Sequence, residues 1–302
     1  MQDSALIQIG LPIALMIIMC GIGMSLTPTD FRRIGERPKP VLVGLLGHYL
    51  WLPLLGFGVA WLFKLQPEYA VGLVLVAACP SGTSSNALTY LARGNVALAV
   101  TLTLLSGLIT FASVPLLVNL ALQLFMGETR AIQLPLGPTM LHLAALVLVP
   151  ICVGMALRRF LPGMAKRAEP VVGAFALLLL AVLIVGIVLQ ERERLPAMLA
   201  DLGLPVLTLC CVAILGGLLL ARLSGLALRD ALTVGMEVGV QNATLALLIA
   251  FTLLKSSEIA IPGALYGLLM YAPAMLLVLF GRRALRRVAG PANAAEAKEA
   301  AT

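Results

Sequence analysis

The chain has 302 residues, of which 61% are apolar and 12% are charged, and its net charge at pH 7 is +7. Soluble domains carry about 25% charged residues, so this composition excludes an ordinary soluble fold. The charges also fall in clusters separated by long neutral runs, such as the one from Leu102 to Gly127. Because a bilayer core requires about 20 apolar residues per helix, the pattern predicts an all-α polytopic membrane protein.

The first apolar run, residues 5–26, is predicted to be a retained helix and not a secretory signal. Asp3 precedes it and no Lys or Arg does, whereas a signal peptide has a basic start and a shorter apolar core. Polar residues along the rest of the chain separate further runs, which predicts nine transmembrane helices. Their approximate ranges are 5–26, 40–63, 69–92, 95–124, 136–157, 170–190, 203–222, 230–254 and 260–281.

Lys and Arg are distributed unequally between the two sides that these spans define. One side holds 16 of them and the other holds 5, so the positive-inside rule places the first side in the cytoplasm. The N-terminus is then periplasmic and the C-terminus cytoplasmic, in an inner (plasma) membrane. Compact loops and an Arg-over-Lys bias indicate a bacterial source. The net positive charge is attributed to topology and to contact with membrane lipids, and not to nucleic acid.

The third of these spans contains helix-breaking residues at mid-membrane. It reads AACPSGTSSNALTYLARG over residues 77–94, with Pro80 and Gly82 among hydroxyl side chains. Proline removes a backbone donor and glycine tolerates unwound backbone. In lipid, such a break persists only where protein or a water-filled cavity encloses it.

The eighth span has the same kind of interruption but different polar groups. It reads TVGMEVGVQNATLALL over residues 233–248, with Glu237 between Gly235 and Gly239. The third and eighth spans lie in opposite halves of the chain and run in opposite directions through the membrane. This arrangement predicts inverted repeats with a binding site near the midplane.

The two interruptions are expected to expose backbone groups of both kinds. Amide groups at the start of each second half-helix favour an anionic substrate, whereas the preceding carbonyls and Glu237 favour a small cation. Gln241 shares a helix face with Glu237. Asn86 and Asn242 serve either this site or helix packing. His48, on the second span, is either a satisfied interhelical side chain or a group that titrates near the site.

These segments resemble the bile acid:sodium symporter family. The strings CPSGTSSNALTYLARGNVALAVTLT (79–103) and EVGVQNATLALLIA (237–250) are similar to its two crossover motifs, and MIIMCGIGMSLTPTDF (16–31) and AIPGALYGLL (260–269) to its flanking signatures. The similarity extends over nearly all of the chain. It implies a bacterial homologue of the nine-helix form, with two crossed discontinuous helices in a core domain and a smaller panel domain that moves against it.

The resemblance also implies a division of the chain. Residues 1–130 would form a first repeat of four helices that lacks the first helix of the repeat, and residues 131–287 a second repeat of five. The panel would consist of spans 5–26, 136–157 and 170–190, and the core of the remaining helices. The Ala-rich tail, residues 288–302, is predicted to be a disordered cytoplasmic segment.

Site residues follow from the resemblance by motif position. The first sodium site would use Ser85, Asn86, Thr103 and Glu237. The second would use Glu237, Gln241 and the backbone carbonyls of Val238 and Val240. The substrate anion would lie near the crossing, in contact with Thr83, Ser84, Asn86, Asn242 and His48.

Two positions depart from the family pattern. Ala99 stands where a serine helps to bind the first sodium ion, and His48 stands where a glutamine contributes to the second. One site therefore loses a hydroxyl and the other gains a base that can be protonated. We expect one or two bound sodium ions, with coupling that is weaker than that of two sodium ions or is partly replaced by protons.

Together these features predict a monomeric secondary transporter, not an enzyme, that imports a small organic anion by alternating access, coupled to sodium. Proton-coupled or uncoupled transport is the alternative within this class. A membrane-embedded hydrolase or transferase using His48, Cys79 or a serine of residues 81–85 is a remote alternative, because a nucleophile needs a base within hydrogen-bond reach. A non-transporting sensor is a third possibility. The sequence does not distinguish a bile acid from a hydroxy acid, keto acid or sulfonate.

Overall fold

A computed structural model describes residues 10–25, 35–127, 135–190 and 195–288. Within these ranges the chain is helical apart from its connecting turns and one isolated β-bridge. The predicted all-α class is therefore confirmed for the described residues. The start and end of the first predicted span and the tail from residue 289 onward lie outside them.

The helices follow the apolar runs of the sequence closely. In chain order they are α1 (Leu11–Ser25), α2 (Pro38–Leu62), α3 (Pro67–Ala78), α4 (Ser84–Leu91), α5 (Val96–Met126), α6 (Leu136–Phe160), α7 (Pro162–Gln190), α8 (Leu195–Leu223), α9 (Leu228–Gly239), α10 (Ala243–Thr252), α11 (Ser257–Leu269) and α12 (Tyr271–Val288). A π-helical turn, Gly47–Trp51, interrupts α2, and another, Leu122–Met126, ends α5.

Six helical segments of the described ranges are long and apolar enough to cross a membrane. They are α2, α5, α6, most of α7, most of α8, and α11 joined to α12 as Ser257–Arg286. Shorter apolar helices lie in α1, α3 and α10. The chain is thus a multi-pass membrane protein.

Each of the two predicted interruptions is an unwound segment in the structure. Residues 79–83 separate α3 from α4, and residues 240–242 separate α9 from α10. The two segments pair as a short antiparallel bridge: the Gly82 amide donates to the Val240 carbonyl at 2.9 Å, and the Asn242 amide donates to the Pro80 carbonyl at 2.8 Å. The unwound segments thereby supply hydrogen-bond partners to each other where lipid would supply none.

The bridge is possible because residue 82 is a glycine, which has no side chain to separate the two backbones. A Cβ atom at this position would lie 2.9 Å from the Gln241 carbonyl oxygen, which belongs to the backbone and cannot rotate away as a side chain could.

The crossing lies in the interior of the protein, because Asp230–Gly239 of α9 and Ala243–Ala250 of α10 are buried throughout.

Helix α1 packs tightly against α6 and α7, the other helices of the predicted panel. A Cβ atom at Gly23 would collide with the Ile151 carbonyl, and one at Gly154 with the Cys20 carbonyl, so the backbones of α1 and α6 touch. Gly21 of α1 likewise faces the Val172 side chain of α7. The division into panel and core, and into two repeats, stays a prediction.

Candidate cation and anion site

The Glu237 carboxylate is enclosed where the two interrupted helices meet. Its side chain is 1% exposed. Ser85 of α4 donates a hydrogen bond to Oε1 at 2.5 Å, and Thr103 of α5 donates one to Oε2 at 2.8 Å. Ser81 donates to the Glu237 backbone carbonyl at 2.6 Å. The carboxylate therefore faces hydroxyl groups of the other interrupted helix and of α5, and not lipid.

Four residues predicted for the first sodium site are brought together. Besides its bond to Glu237, the Thr103 hydroxyl lies 3.5 Å from Oδ1 of Asn86. Ser85, Asn86, Thr103 and Glu237 thus form one cluster of oxygen atoms, the ligand type that unwound membrane helices offer to sodium. Ala99, the departure from the family pattern, is fully buried in α5 one turn before Thr103.

Gln241 provides a buried oxygen atom without a hydrogen-bond donor. Its Nε2 donates to the Val238 carbonyl at 2.8 Å and lies 3.4 Å from the Glu237 carbonyl. Its Oε1 is buried and has no partner among the described residues. An unsatisfied buried acceptor costs about 1–3 kcal/mol. A cation beside it would remove that cost.

The backbone carbonyls predicted for the second sodium site already accept hydrogen bonds. The Val238 carbonyl accepts from Nε2 of the Gln241 side chain, and the Val240 carbonyl accepts from the Gly82 backbone amide in the bridge. Both carbonyls lie at the unwound end of α9. Each carbonyl oxygen has a second lone pair, which remains available to a cation.

A cavity of about 470 Å³ lies beside the crossing. On one side it is lined by Thr83, Ser84 and Asn86, all predicted substrate contacts. On the other side it is lined largely by apolar residues of α1 and α7, including Ile18 and Val172. An apolar wall with a few polar groups is typical of a site for a small organic molecule.

Asn242 lies at a smaller space that shares Thr83 and Ser84 with this cavity. Its Oδ1 accepts a hydrogen bond from the Leu245 amide at 3.0 Å and so caps the N-terminus of α10. The Tyr271 hydroxyl donates to Ser84 Oγ at 3.3 Å from the opposite side. Four of the five predicted substrate contacts therefore line this cavity or the smaller space beside it: Thr83, Ser84, Asn86 and Asn242.

His48, the fifth, lies elsewhere. It sits in the π-helical turn of α2, is 3% exposed, and its Nε2 is 2.9 Å from the Cys79 carbonyl oxygen. Because a carbonyl oxygen only accepts, Nε2 carries a hydrogen. His48 is not among the residues that line the cavity.

Two residues hold the site together that sequence reasoning did not assign to it. Ser81 fixes the Glu237 carbonyl, and Tyr266 of α11 donates from its hydroxyl to the Gly239 carbonyl at 2.8 Å. Tyr266 is fully buried. The available signal was a tyrosine in an otherwise apolar span, since a buried tyrosine hydroxyl requires a partner.

The chain matches the profile of the Sodium Bile acid symporter family over residues 12–197. It is 32% identical, over 89% of its length, to a protein of Oryza sativa subsp. japonica described as a probable chloroplastic sodium/metabolite cotransporter, of which it covers 63%. It is 31% identical, over 91% of its length, to an uncharacterized sodium-dependent transporter of Bacillus subtilis (strain 168), of which it covers 84%.

Over 80% of its length, the chain is also 30% identical to the human ileal sodium/bile acid cotransporter, of which it covers 69%. The chain thus spans less than two thirds of the rice relative and more of the bacterial and human ones. All three relatives are described as transporters or cotransporters, which argues against the hydrolase or transferase alternative. The chain belongs to the sodium bile acid symporter family, and the relatives compared with it carry the names of transporters and cotransporters.

Proposed function

We propose that this protein imports a small organic anion together with sodium ions, by alternating access. The observation that carries the proposal is the Glu237 carboxylate, enclosed at the meeting point of two interrupted helices and surrounded by hydroxyl and amide oxygens. The names of the bacterial, rice and human relatives, all sodium-dependent transporters or cotransporters, support the same function.

Two sodium positions would share this carboxylate. Ser85, Asn86 and Thr103 would bind one ion on the α4 and α5 side of Glu237. Gln241 and the carbonyls of Val238 and Val240 would bind the other, on the α9 side. The unsatisfied Oε1 of Gln241 supports the second position. The absence of a hydroxyl at Ala99 weakens the first, so we expect its sodium affinity to be the lower of the two.

The organic anion would bind in the 470 Å³ cavity at the N-terminus of α4. The Thr83 side chain makes no capping hydrogen bond there, which leaves the partial positive charge of the helix N-terminus available to a carboxylate or sulfonate. Among the residues that the structure describes, no Lys or Arg lines the cavity. The apolar residues of α1 and α7 would contact the hydrocarbon part of the substrate.

Alternating access would proceed by movement of α1, α6 and α7 against the remaining helices. The cavity lies between α1 and α7 on one side and α4 and α5 on the other, so such a movement would open and close it. The glycine-mediated contact of α1 with α6 would keep the moving helices together as a unit.

Helix ends support the inverted-repeat arrangement with nine spans. Lys64 after α2 and Gly225 after α8 both have left-handed backbone, with φ of 50° and 75°. Each is followed by a residue whose amide returns to a carbonyl five residues earlier: Leu65 to Ala60, and Leu226 to Ala221. Equivalent turns at equivalent places before each interrupted helix are what two related repeats would produce. We expect a monomer in the inner membrane with a cytoplasmic C-terminus, as the Lys and Arg distribution indicates.

Proton coupling is the second candidate, and the position of His48 favours it. The imidazole contacts the unwound backbone at Cys79, within one turn of the residues that meet Glu237. If protons drove transport through His48, a pH gradient would energise uptake without sodium, and His48→Gln would abolish that uptake. Under sodium coupling, His48→Gln retains sodium-driven uptake.

The proposal is tested with the purified protein in two steps. A thermal-shift screen of bile acids, hydroxy acids, keto acids and sulfonates, in sodium and in potassium, identifies an anion that stabilises the protein. Uptake of that anion is then measured in proteoliposomes with an inward sodium, potassium or proton gradient. We expect accumulation with the sodium gradient. Equal accumulation with potassium, or accumulation with the proton gradient and none with the sodium gradient, would contradict sodium coupling.

A further inference from the structure

Three arginines from different parts of the chain converge on one cleft at the end of the helix bundle. The cleft has a volume of about 420 Å³ and is lined by Arg93 after α4, Arg229 at the start of α9 and Arg282 in α12. Tyr90 and Leu91 of α4 line it as well. It is separate from the cavity beside Glu237, whose lining includes none of these arginines.

Backbone contacts hold the three arginines together. Arg93 has left-handed backbone, with φ of 60°, in the turn between α4 and α5. Its carbonyl accepts a hydrogen bond from Nε of Arg229 at 3.1 Å, which fixes one side of the Arg229 guanidinium. Helix α12 packs directly on this turn, because a Cβ atom at Gly281 would lie 2.7 Å from the Ala92 carbonyl oxygen. Arg282 follows Gly281 and therefore stands at the same cleft.

Asp230, the acid next to Arg229 in the sequence, is already paired with other residues. Asp230 is 4% exposed, accepts a hydrogen bond from Arg37 at 3.0 Å, and accepts another from Asn95 at 2.7 Å. Across the described ranges, no carboxylate lies within 4.0 Å of the guanidinium groups of Arg93, Arg229 or Arg282. Three guanidinium groups without a carboxylate are suited to the bidentate binding of a phosphate.

The position of the cleft indicates the source of that phosphate. Tyr90 and Leu91 are 71% and 44% exposed at its edge, and tyrosine is enriched where hydrocarbon meets headgroups. Helix α12 changes at Arg282 from apolar residues to a basic segment. We propose that the cleft binds the headgroup phosphate of an anionic phospholipid, with the acyl chains passing Tyr90 and Leu91. This inference depends on the membrane location of the protein and not on its transported substrate.

Such a lipid would connect the two interrupted helices at their ends away from the crossing. Arg93 follows α4, and Arg229 belongs to the first turn of α9, so one phosphate would bridge the two helices that cross at Glu237. It would also relieve the repulsion among three like charges. We therefore expect the bound lipid to stabilise the crossing against thermal unfolding.

The test measures lipid binding by native mass spectrometry of the detergent-purified protein, titrated with phosphatidylglycerol, with phosphatidylcholine and with inorganic phosphate. We expect one saturable phosphatidylglycerol site. Replacement of Arg93, Arg229 or Arg282 by Gln should each weaken it about fivefold. Arg282→Lys, which keeps the charge, should lose less affinity than Arg282→Gln.

Arg283→Gln is the matched control, since Arg283 is an exposed neighbour of Arg282 that does not line the cleft. It should bind phosphatidylglycerol as the wild type does. Equal losses in Arg283→Gln and Arg282→Gln would overturn the proposal in favour of diffuse surface attraction. Phosphatidylcholine binding equal to that of phosphatidylglycerol would also overturn it. Inorganic phosphate binding at least as tightly as the lipid would assign the cleft to a soluble anion and contradict the lipid assignment.

Discussion

The two interruptions that meet at the crossing differ in chemistry. The break between α3 and α4 contains Pro80 and carries hydroxyl side chains, and Thr83 at the start of α4 makes no capping hydrogen bond. The break between α9 and α10 follows Gly239 and contains two amides, Gln241 and Asn242, and Glu237 lies in the last turn of α9 before it. Here Asn242 caps α10 by accepting from the Leu245 amide.

This difference separates the two kinds of ligand. The N-terminus of α10 is capped by the Asn242 side chain, whereas the N-terminus of α4 has no side-chain cap and faces a cavity that can hold an organic anion. The last turn of α9 supplies the negative charge of Glu237, and the break after it supplies the Gln241 oxygen, which has no partner in the described part of the chain. We therefore expect the first break to bind the anion and both breaks together to bind sodium, with Glu237 contributed by the second.

Removing the charge at the crossing should have the largest effect. Glu237→Gln keeps the size of the side chain but leaves no carboxylate, so sodium-stimulated uptake in proteoliposomes should disappear while the protein still inserts and folds. Glu258→Gln is the control, because this exposed carboxylate lies at the start of α11, away from the crossing, where it accepts hydrogen bonds from the Ser256 and Ser257 hydroxyls. Uptake by Glu237→Gln that still responds to sodium would remove Glu237 from the site.

Separating the two breaks should have the next largest effect. Gly82→Ala places a carbon 2.9 Å from the Gln241 carbonyl oxygen, and overpacking of this kind costs about 1–3 kcal/mol. We expect a lower Tm in detergent and reduced uptake. Gly58→Ala is the matched control, because nothing lies within 4 Å of a Cβ atom there. An unchanged Tm in Gly82→Ala would show that the bridge is not a close contact.

A single hydroxyl at the first sodium position should have a moderate effect. Thr103→Val removes the donor to Oε2 of Glu237 and one proposed sodium ligand, so the sodium concentration for half-maximal uptake should rise about tenfold, equivalent to about 1.4 kcal/mol. Thr101→Val should leave it unchanged, because the buried Thr101 hydroxyl donates to the Ala97 carbonyl of its own helix and not to Glu237. The same sodium dependence in both variants would refute the role of Thr103.

The smallest effects should distinguish the two helix N-termini. Asn242→Ala removes a cap and should lower the free energy of unfolding by about 1 kcal/mol. Thr83→Ala removes no capping bond, so it should leave the Tm unchanged and weaken anion binding by thermal-shift titration. A reversed pattern, with stability lost at Thr83 and anion affinity lost at Asn242, would exchange the proposed roles of the two breaks.

Much of the fold follows from the sequence because apolar runs in a membrane protein mark helices directly. The predicted third span, 69–92, corresponds to α3 and α4 together, and α4 ends at Leu91. Pro80 lies in the break between them, as expected. The resemblance correctly identified the family. The pairing of the two breaks could not be predicted from local sequence patterns, because the bridge joins residues about 160 positions apart, Ser81 and Gln241.

Other features carry no local signal. The π-helical turn at Gly47–Trp51 places His48 against the Cys79 carbonyl and away from the cavity lining, which hydropathy cannot reveal. The arginine cleft is similar: Arg93, Arg229 and Arg282 each count toward the positive-inside rule, and their convergence depends on how α12 packs on the end of α4.

Equilibrium sodium binding tests the central claim most directly. Radioactive sodium binding to the purified protein is measured by scintillation proximity, for the wild type and for Glu237→Gln, with potassium and lithium as competitors. We predict saturable sodium binding by the wild type that potassium does not displace, and no saturable binding by Glu237→Gln. Wild-type sodium affinity in Glu237→Gln would contradict a cation site at the crossing.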